Sequence, residues 1–417
     1  MVKKSLFLSA LILAFLIYSG AVSIKEKNPY SSLIPSNETK MMRGYVSSNP
    51  IKTSYPKDTY KIIFSPLYVY SETSISSARG DVTLYIPSVM IESFYPGKLY
   101  TAAQAFESSL FVENGAELFL SVEEFKSTGE GKKFIVKKGN NRGWKGKWLM
   151  KKIFHFRALC RLQFKRLMYA WGKAGGLLLA LLSGSREYTE KSVTDAFKNS
   201  GLSHILALSG MHLGLFGNLA RFFGRKASGR NFGDAIQLMA ITFFVWFAGI
   251  SPSLFRAFIA AFLLYLNSLL RMNRPDKLSL ISVCFIIHVV VFSNHIFDSG
   301  FLLSYSSLTG IIIFSKMFKI VYSYFIPYKI RMSLADSTSA QIATAPISFK
   351  LFGKIAPVGI IATLFISPLV VFFLYAGLFG VIICLLLPFL SQPFSAIMNL
   401  LYLFIKKLVF FFSFYKE

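Results

Sequence analysis

The stretch GLSHILALSGMHLGLFG, Gly201 to Gly217, decides how the rest of the chain is read. It is apolar enough to enter a bilayer, yet it carries His204, Ser209 and His212 and is interrupted by glycines, among them Gly210. Each polar group in hydrocarbon costs free energy unless it finds a partner, so plain anchors avoid such residues. Glycine weakens a helix and lets a second backbone approach closely. The stretch therefore reads as the polar, kinked centre of a path through a membrane.

The composition agrees. The chain has 417 residues, 53% of them hydrophobic, which places it among integral membrane proteins with a sizeable soluble part. Cys160, Cys284 and Cys384 are too far apart in sequence to read as a disulfide framework or a cysteine metal site. The five histidines offer no HxH or HExxH spacing, so no metal and no cofactor is expected. The net charge of +26 is local: residues 1–130 hold 12 basic and 12 acidic side chains, and residues 131–173 hold 14 basic and none acidic.

Outward from the centre, the N-terminus comes first. Lys3 and Lys4 precede an apolar run from Leu6 to Ile17, followed by Ser19, Gly20 and Ala21. A cleavable signal peptide and an uncleaved anchor both fit residues 1–22, and both put the segment from residue 23 outside the cytoplasm. Residues 23–130 begin with a polar linker and then read as short strands: 43–48, 60–70, 81–87, 97–103 and 116–122. Strands at this spacing suggest a small barrel or sandwich, and five of them suit an OB-like barrel. Such barrels commonly bind oligonucleotides, but the neutral charge here gives no independent support, and a structural cap is the alternative.

Residues 131–174 form a basic belt. GNNRG, 139–143, looks like a hairpin turn. From Trp148 the pattern turns helical, with Arg157, Arg161 and Lys165 at i, i+4 and i+8 on one face. Together with Lys145, Lys147 and Lys151, and with Trp144, Trp148 and Trp171 between them, they suit a phosphate backbone plus base stacking. An interfacial helix whose cations meet lipid phosphates has the same pattern.

Residues 175–417 carry the membrane path. Gly175 to Gly184 is too short to span and reads as in-plane or re-entrant, and 185–200 as a polar helix leading into the centre. Spans are expected at about 203–220, 235–250, 254–270, 278–293 and 299–315. The loops 221–233 and 271–277 are rich in Lys and Arg and the intervening turns have none, which puts those two loops in the cytoplasm. Arg256 lies near the start of a span, where it snorkels to lipid or faces water. Ser304 heads a polar stripe with Ser306, Ser307 and Thr309. Residues 334–352 hold Asp336 and Gln341 and are too polar for lipid, and Pro346 is expected to break their helix. Residues 355–390 read as two spans broken at Pro368, and whether 394–415 spans is open.

Four ordered segments resemble the ComEC-type competence channels: Gly201–Phe216, SPSLFRAFIAAFLLY at 251–265, FDSGFLLSYSSLTGII at 297–312, and LADSTSAQIATAPISFKLF at 334–352. The resemblance is close over 175–390 and loose over 1–130. It implies a polytopic α-helical protein of the bacterial cytoplasmic (inner) membrane with an extracytoplasmic β-rich, OB-like domain. It also implies a channel for single-stranded DNA in natural transformation, not an enzyme, with a cytoplasmic DNA-translocating ATPase and a DNA-receptor protein as partners and homo-oligomerisation left open. Family members often add a metallo-β-lactamase-type domain, and the HxHxDH motif of that domain is absent from this sequence.

On this reading His204, Ser209, Gly210, His212, Arg256, Ser304, Asp336 and Gln341 are the candidates for the lining of the path or its supports. Two other classes stay open. A small-molecule transporter or structural membrane protein also uses broken polar helices. An intramembrane serine hydrolase would pair Ser209 with a histidine, although His204 lies more than a turn away.

Overall fold

The computed structural model describes residues 2–19, 30–92 except 49 and 54, 112, 116–125, 132–140, and 148–414 except 187, 274, 354 and 355. The first element is helix α1, Val2–Tyr18. Five strands then make a closed barrel: β1 Met41–Val46, β2 Thr59–Tyr70, β3 Val82–Pro87, β4 Glu117–Glu124 and β5 Lys133–Asn140. β1 pairs with β2 and β4, β2 with β3, and β4 with β5, all antiparallel, while β3 and β5 close the circle in parallel. This is the five-stranded Greek-key arrangement of an OB-type barrel.

Alternation explains the barrel. Met42, Ile62, Phe64, Leu84, Leu118, Leu120, Phe134 and Val136 point inward and are fully buried. Gly44 sits at the register shift of β1, where a Cβ would collide with the Ser65 carbonyl. The fifth strand differs from the expectation. The expected strand at 97–103 lies outside the described residues, and the barrel is completed by 133–140, past the expected boundary at residue 130. Most of the expected GNNRG turn also lies outside them.

The helical part begins with α2 Trp148–Ala170, α3 Gly172–Ser183, α4 Lys191–Asn199 and the short α5 Ser203–Leu206. α6, Gly210–Ala248, is a hairpin: Ser228 and Gly229 leave helical geometry, Gly229 with φ +83°, so its arms 210–227 and 230–248 run antiparallel. Gly224 on one arm faces Gly233 on the other so closely that a Cβ would stand 2.9 Å from the Gly233 Cα. α7 Pro252–Leu269, α8 Lys277–Val291, α9 Ser299–Tyr322, α10 Tyr328–Phe352, α11 Val358–Leu386 and α12 Ser391–Phe414 complete the chain. Among the described residues five helices are long and apolar enough to cross a membrane, α6, α7, α9, α11 and α12, the last counted with the turn before it. The protein is a multi-pass membrane protein with a β-rich N-terminal domain.

Two proline expectations are corrected. Pro346 lies inside α10, which runs on to Phe352, and Pro368 lies inside the single 29-residue helix α11. Both prolines are exposed, on helices whose other faces are packed. α9 lies flush against α10, where a Cβ on Gly310 would come within 2.7 Å of the Ser339 carbonyl. Ile366 and Val370 around Pro368 are fully buried.

α3 is apolar all round and is buried from Ala174 to Ser183, so it is a core helix, which is why it need not reach across a bilayer. α2 joins the two halves: Leu162 enters the barrel core while Phe164, Met168 and Trp171 enter the helical core. α1 is packed against the helical part, with Ile17 buried and the Tyr18 hydroxyl donating to the Ile296 carbonyl at 3.0 Å.

Candidate functional site

The central motif folds as two short pieces around a break. α5 ends at Leu206, residues 207–209 are non-helical, and α6 starts at Gly210. The Ser209 backbone N–H donates to His212 Nδ1 at 3.4 Å, so the histidine closes the first turn of α6 and is itself buried. α7 starts beside this break. Ser251 accepts from the Leu254 N–H with Pro252 at the first helical position, and the Ser253 hydroxyl donates to the Leu208 carbonyl at 2.5 Å. The segment singled out around Arg256 is thereby fastened to the segment singled out around Gly210.

Arg256 points along this junction. Its Nη2 would lie 3.1 Å from a Cβ on Gly210, so glycine there leaves room for the guanidinium. The guanidinium carbon stands 5.9 Å from the Tyr305 ring centre. Its Nε is buried without a hydrogen-bond partner, and no carboxylate pairs with it among the described residues.

Below this point opens a cavity of about 770 Å³ between the two arms of α6 and helices α7, α8 and α9. Gly210, Gly214, Arg256 and Cys284 line one end, and Arg221, Arg230, Asp234, Ser268 and Lys277 the other. At that far end Asp234 is a clasp. It accepts from Arg221 Nε at 2.7 Å and Arg225 Nη2 at 3.4 Å, and its second oxygen accepts from the Ser268 hydroxyl at 3.2 Å. One buried carboxylate thus ties the hairpin of α6 to α7. Sequence reasoning missed it, although it is an acid four residues behind a run of four cations, Arg221, Arg225, Lys226 and Arg230.

The other predicted residues divide. Gly210 and Arg256 meet at the cavity; His212 supports it from behind. His204 stands apart on α5, its Nδ1 3.2 Å from the Gly201 carbonyl. Gln341 donates to the Ala356 carbonyl at 2.6 Å, beside Gly201, and so braces the start of the motif. Asp336 accepts from Ser315 and pairs with Lys319 at 3.3 Å, which joins α9 to α10 away from the cavity. Ser304 lies on α9 and does not line the cavity; its carbonyl accepts from Ser307. A buried set was not anticipated: His288 Nδ1 lies 3.2 Å from the Tyr305 hydroxyl and its Nε2 3.1 Å from His295 Nδ1. This set stands behind the Arg256–Tyr305 contact.

The basic face of α2 turns inward. Arg157, Arg161 and Lys165 are all buried, and Arg161 Nη1 donates to the Phe247 and Ala248 carbonyls at 2.7 and 3.1 Å. The last carbonyls of a helix have no partner within it, so a cation is drawn to them. The face expected to meet a phosphate backbone or lipid phosphates is thus buried, with Arg161 at a helix end. Lys145 and Lys147 lie outside the described residues, as does the side chain of Lys151. No group of three or more metal-binding side chains occurs among the described residues.

The Competence protein family profile matches residues 181–416, from the end of α3 through α12. The chain belongs to that family. ComE operon protein 3 of Bacillus subtilis (strain 168) is 26% identical over 225 residues, which are 53% of this chain and 27% of that protein. An uncharacterized protein of Aquifex aeolicus (strain VF5) is 30% identical over 225 residues, 53% of this chain and 50% of that protein. The match thus takes in no more than half of either relative. No solved structure matches. The family match encloses the whole cavity, from Gly210 to Ile312.

Proposed function

We propose that this protein passes single-stranded DNA across the bacterial cytoplasmic membrane during competence, as a conduit that makes and breaks no covalent bonds. One observation carries the reading: within a competence-family helical part, a cavity has Arg256 at one end and Arg221, Arg230 and Lys277 at the other. A polyanion is the ligand such an arrangement favours. The barrel lies outside the cell membrane on this reading, because the Lys- and Arg-rich loops 221–233 and 271–277 belong in the cytoplasm. The strand is handed over by a receptor and drawn inward by a cytoplasmic DNA-translocating ATPase.

The hydrolase alternative has less support. The bond between Ser209 and His212 runs from a backbone N–H to the ring, leaving no hydroxyl–imidazole contact for a nucleophile. The transporter alternative has one point in its favour, since 770 Å³ is within the size range of pockets for a single small ligand. The test is entry of labelled single-stranded DNA into proteoliposomes, read as protection from added nuclease, with the ATPase supplied on the cytoplasmic face. Protected label in the wild type supports the conduit. Its absence under those conditions favours the small-solute reading.

A further inference from the structure

We infer that the Gly210 end of the cavity is an internal phosphodiester-binding site, formed by Arg256 and the first turn of α6; the choice of a DNA strand as ligand rests on the reading above. Three features converge. The Arg256 Nε is buried without a partner, and no carboxylate balances the charge among the described residues. A half-buried cation with its Nε left unpaired is costly, and a bound anion lowers the cost. α6 begins here, its start fastened to that of α7 through Ser253 and Leu208, and Gly210 and Met211 of its first turn line the cavity. Gly210 keeps the space next to the guanidinium open.

The same chemistry sets the ligand class. A guanidinium fork matches two oxygens of a phosphate, and the first-turn N–H groups supply further donors. From Arg256 the wall of α7 runs to Ser268, about 18 Å at 1.5 Å per residue. There Arg230 and Lys277 form no ion pair among the described residues, while Asp234 engages Arg221. Cations at both ends of such a length suit a chain of phosphates better than one small anion. A phospholipid also carries a phosphodiester, but its single headgroup would fill only one end.

The test uses the full chain in a phosphate-free detergent, with Cys160→Ser, Cys284→Ala and Cys384→Ala removing its own thiols. Gly214→Cys then sets one thiol on the cavity wall, where a Cβ meets nothing within 4 Å. The rate of its alkylation by a maleimide is measured with tetrathymidylate, with the uncharged methylphosphonate analogue, and with phosphatidylglycerol. Tetrathymidylate is expected to slow alkylation by about fivefold or more, and the analogue to have no effect. Arg256→Gln removes the protection and Arg256→Lys keeps part of it. Gly210→Ala, which leaves the charge but crowds Nη2, lowers it even if Arg256→Gln does not fold. Equal protection by the uncharged analogue, or undiminished protection in Arg256→Gln, overturns the site. Protection by phosphatidylglycerol alone overturns the strand as its ligand. Arg256-dependent protection without DNA entry into proteoliposomes keeps the site and ends the conduit reading; entry with Arg256-independent protection does the reverse.

Discussion

Arg161 and Arg256 stand on either side of the same turn, 249–251, and their surroundings are opposite. Arg161 is sealed in, with two helix-end carbonyls accepting from one of its nitrogens. Arg256 lies between Gly210 and the Tyr305 ring, with its Nε unsatisfied and open space ahead of it. Both hold guanidinium nitrogens out of water, Arg161 entirely and Arg256 at its Nε, so burial alone does not separate a structural role from a binding role. What separates them is whether the fold supplies the partner. A charge whose partner belongs to the protein holds the protein together, and a charge without one is a place for something else.

Replacing a partnered charge is therefore the most damaging change. Arg161→Met leaves the Phe247 and Ala248 carbonyls without their donor in a buried place, at about 3–4 kcal/mol for two such groups. A fall in the detergent melting temperature of the helical part should register this. Unchanged melting with lost DNA entry would move Arg161 to the binding class and break the comparison.

Arg43→Met applies the same reasoning inside the barrel. Arg43 Nε and Nη2 both reach one oxygen of the buried Glu117 at 2.8 Å. The carboxylate beside it raises the pKa of the guanidinium. Losing the cation should cost about 2 kcal/mol, read as faster amide exchange in β1 and β4. If exchange there stays unaltered, the pair is not holding the strands.

How much of this was legible in the sequence depends on where each partner sits. Strands β1 to β4 follow from alternation, but the last strand was hidden because Lys133, Lys137 and Lys138 set it in a lysine-rich run. Only the inward Phe134 and Val136 mark it. The face of Arg157, Arg161 and Lys165 follows from helical spacing. That it packs on the end of α6 does not, because its partners are backbone carbonyls some 86 residues away, and backbone leaves no sequence signature. Pro346 and Pro368 misled because a helix packed on its other faces runs on past an exposed proline. The junction of Gly210 with Arg256 was half visible: both residues stood out, but no spacing rule joins residues on two helices.

Glu190 offers a smaller, graded version of the comparison. It gathers Lys173 Nζ at 2.7 Å, Lys406 Nζ at 2.6 Å and the Tyr402 hydroxyl at 3.0 Å, tying α3 and α12 to the loop before α4. The hydrogen bonds from Lys173 and Lys406 hold its carboxyl down at about 2. A carboxylate whose pKa is depressed by folding stabilises fully above its unfolded value, about 4.3, and the contribution fades as pH falls towards 2. Glu190→Gln should therefore be less stable than the wild type by about 1–2 kcal/mol at neutral pH, and the gap should close between about pH 4 and pH 2. A gap that persists at pH 2 would mean the carboxylate charge is not the cause.

The smallest stability effect should come from the residue with the largest proposed role. Arg256 has no ion pair to lose among the described residues, and its Nε has no hydrogen bond to lose. Removing a half-buried charge that lacks a partner relieves a desolvation cost, so Arg256→Gln should melt within about 0.5 kcal/mol of the wild type or above it. A binding site commonly carries such strain, because the groups that would satisfy it arrive with the ligand. Added tetrathymidylate should then raise the melting temperature of the wild type and leave that of Arg256→Gln where it was. If Arg256→Gln instead unfolds as readily as Arg161→Met, the two arginines are alike, and Arg256 is a brace whose partner the protein supplies.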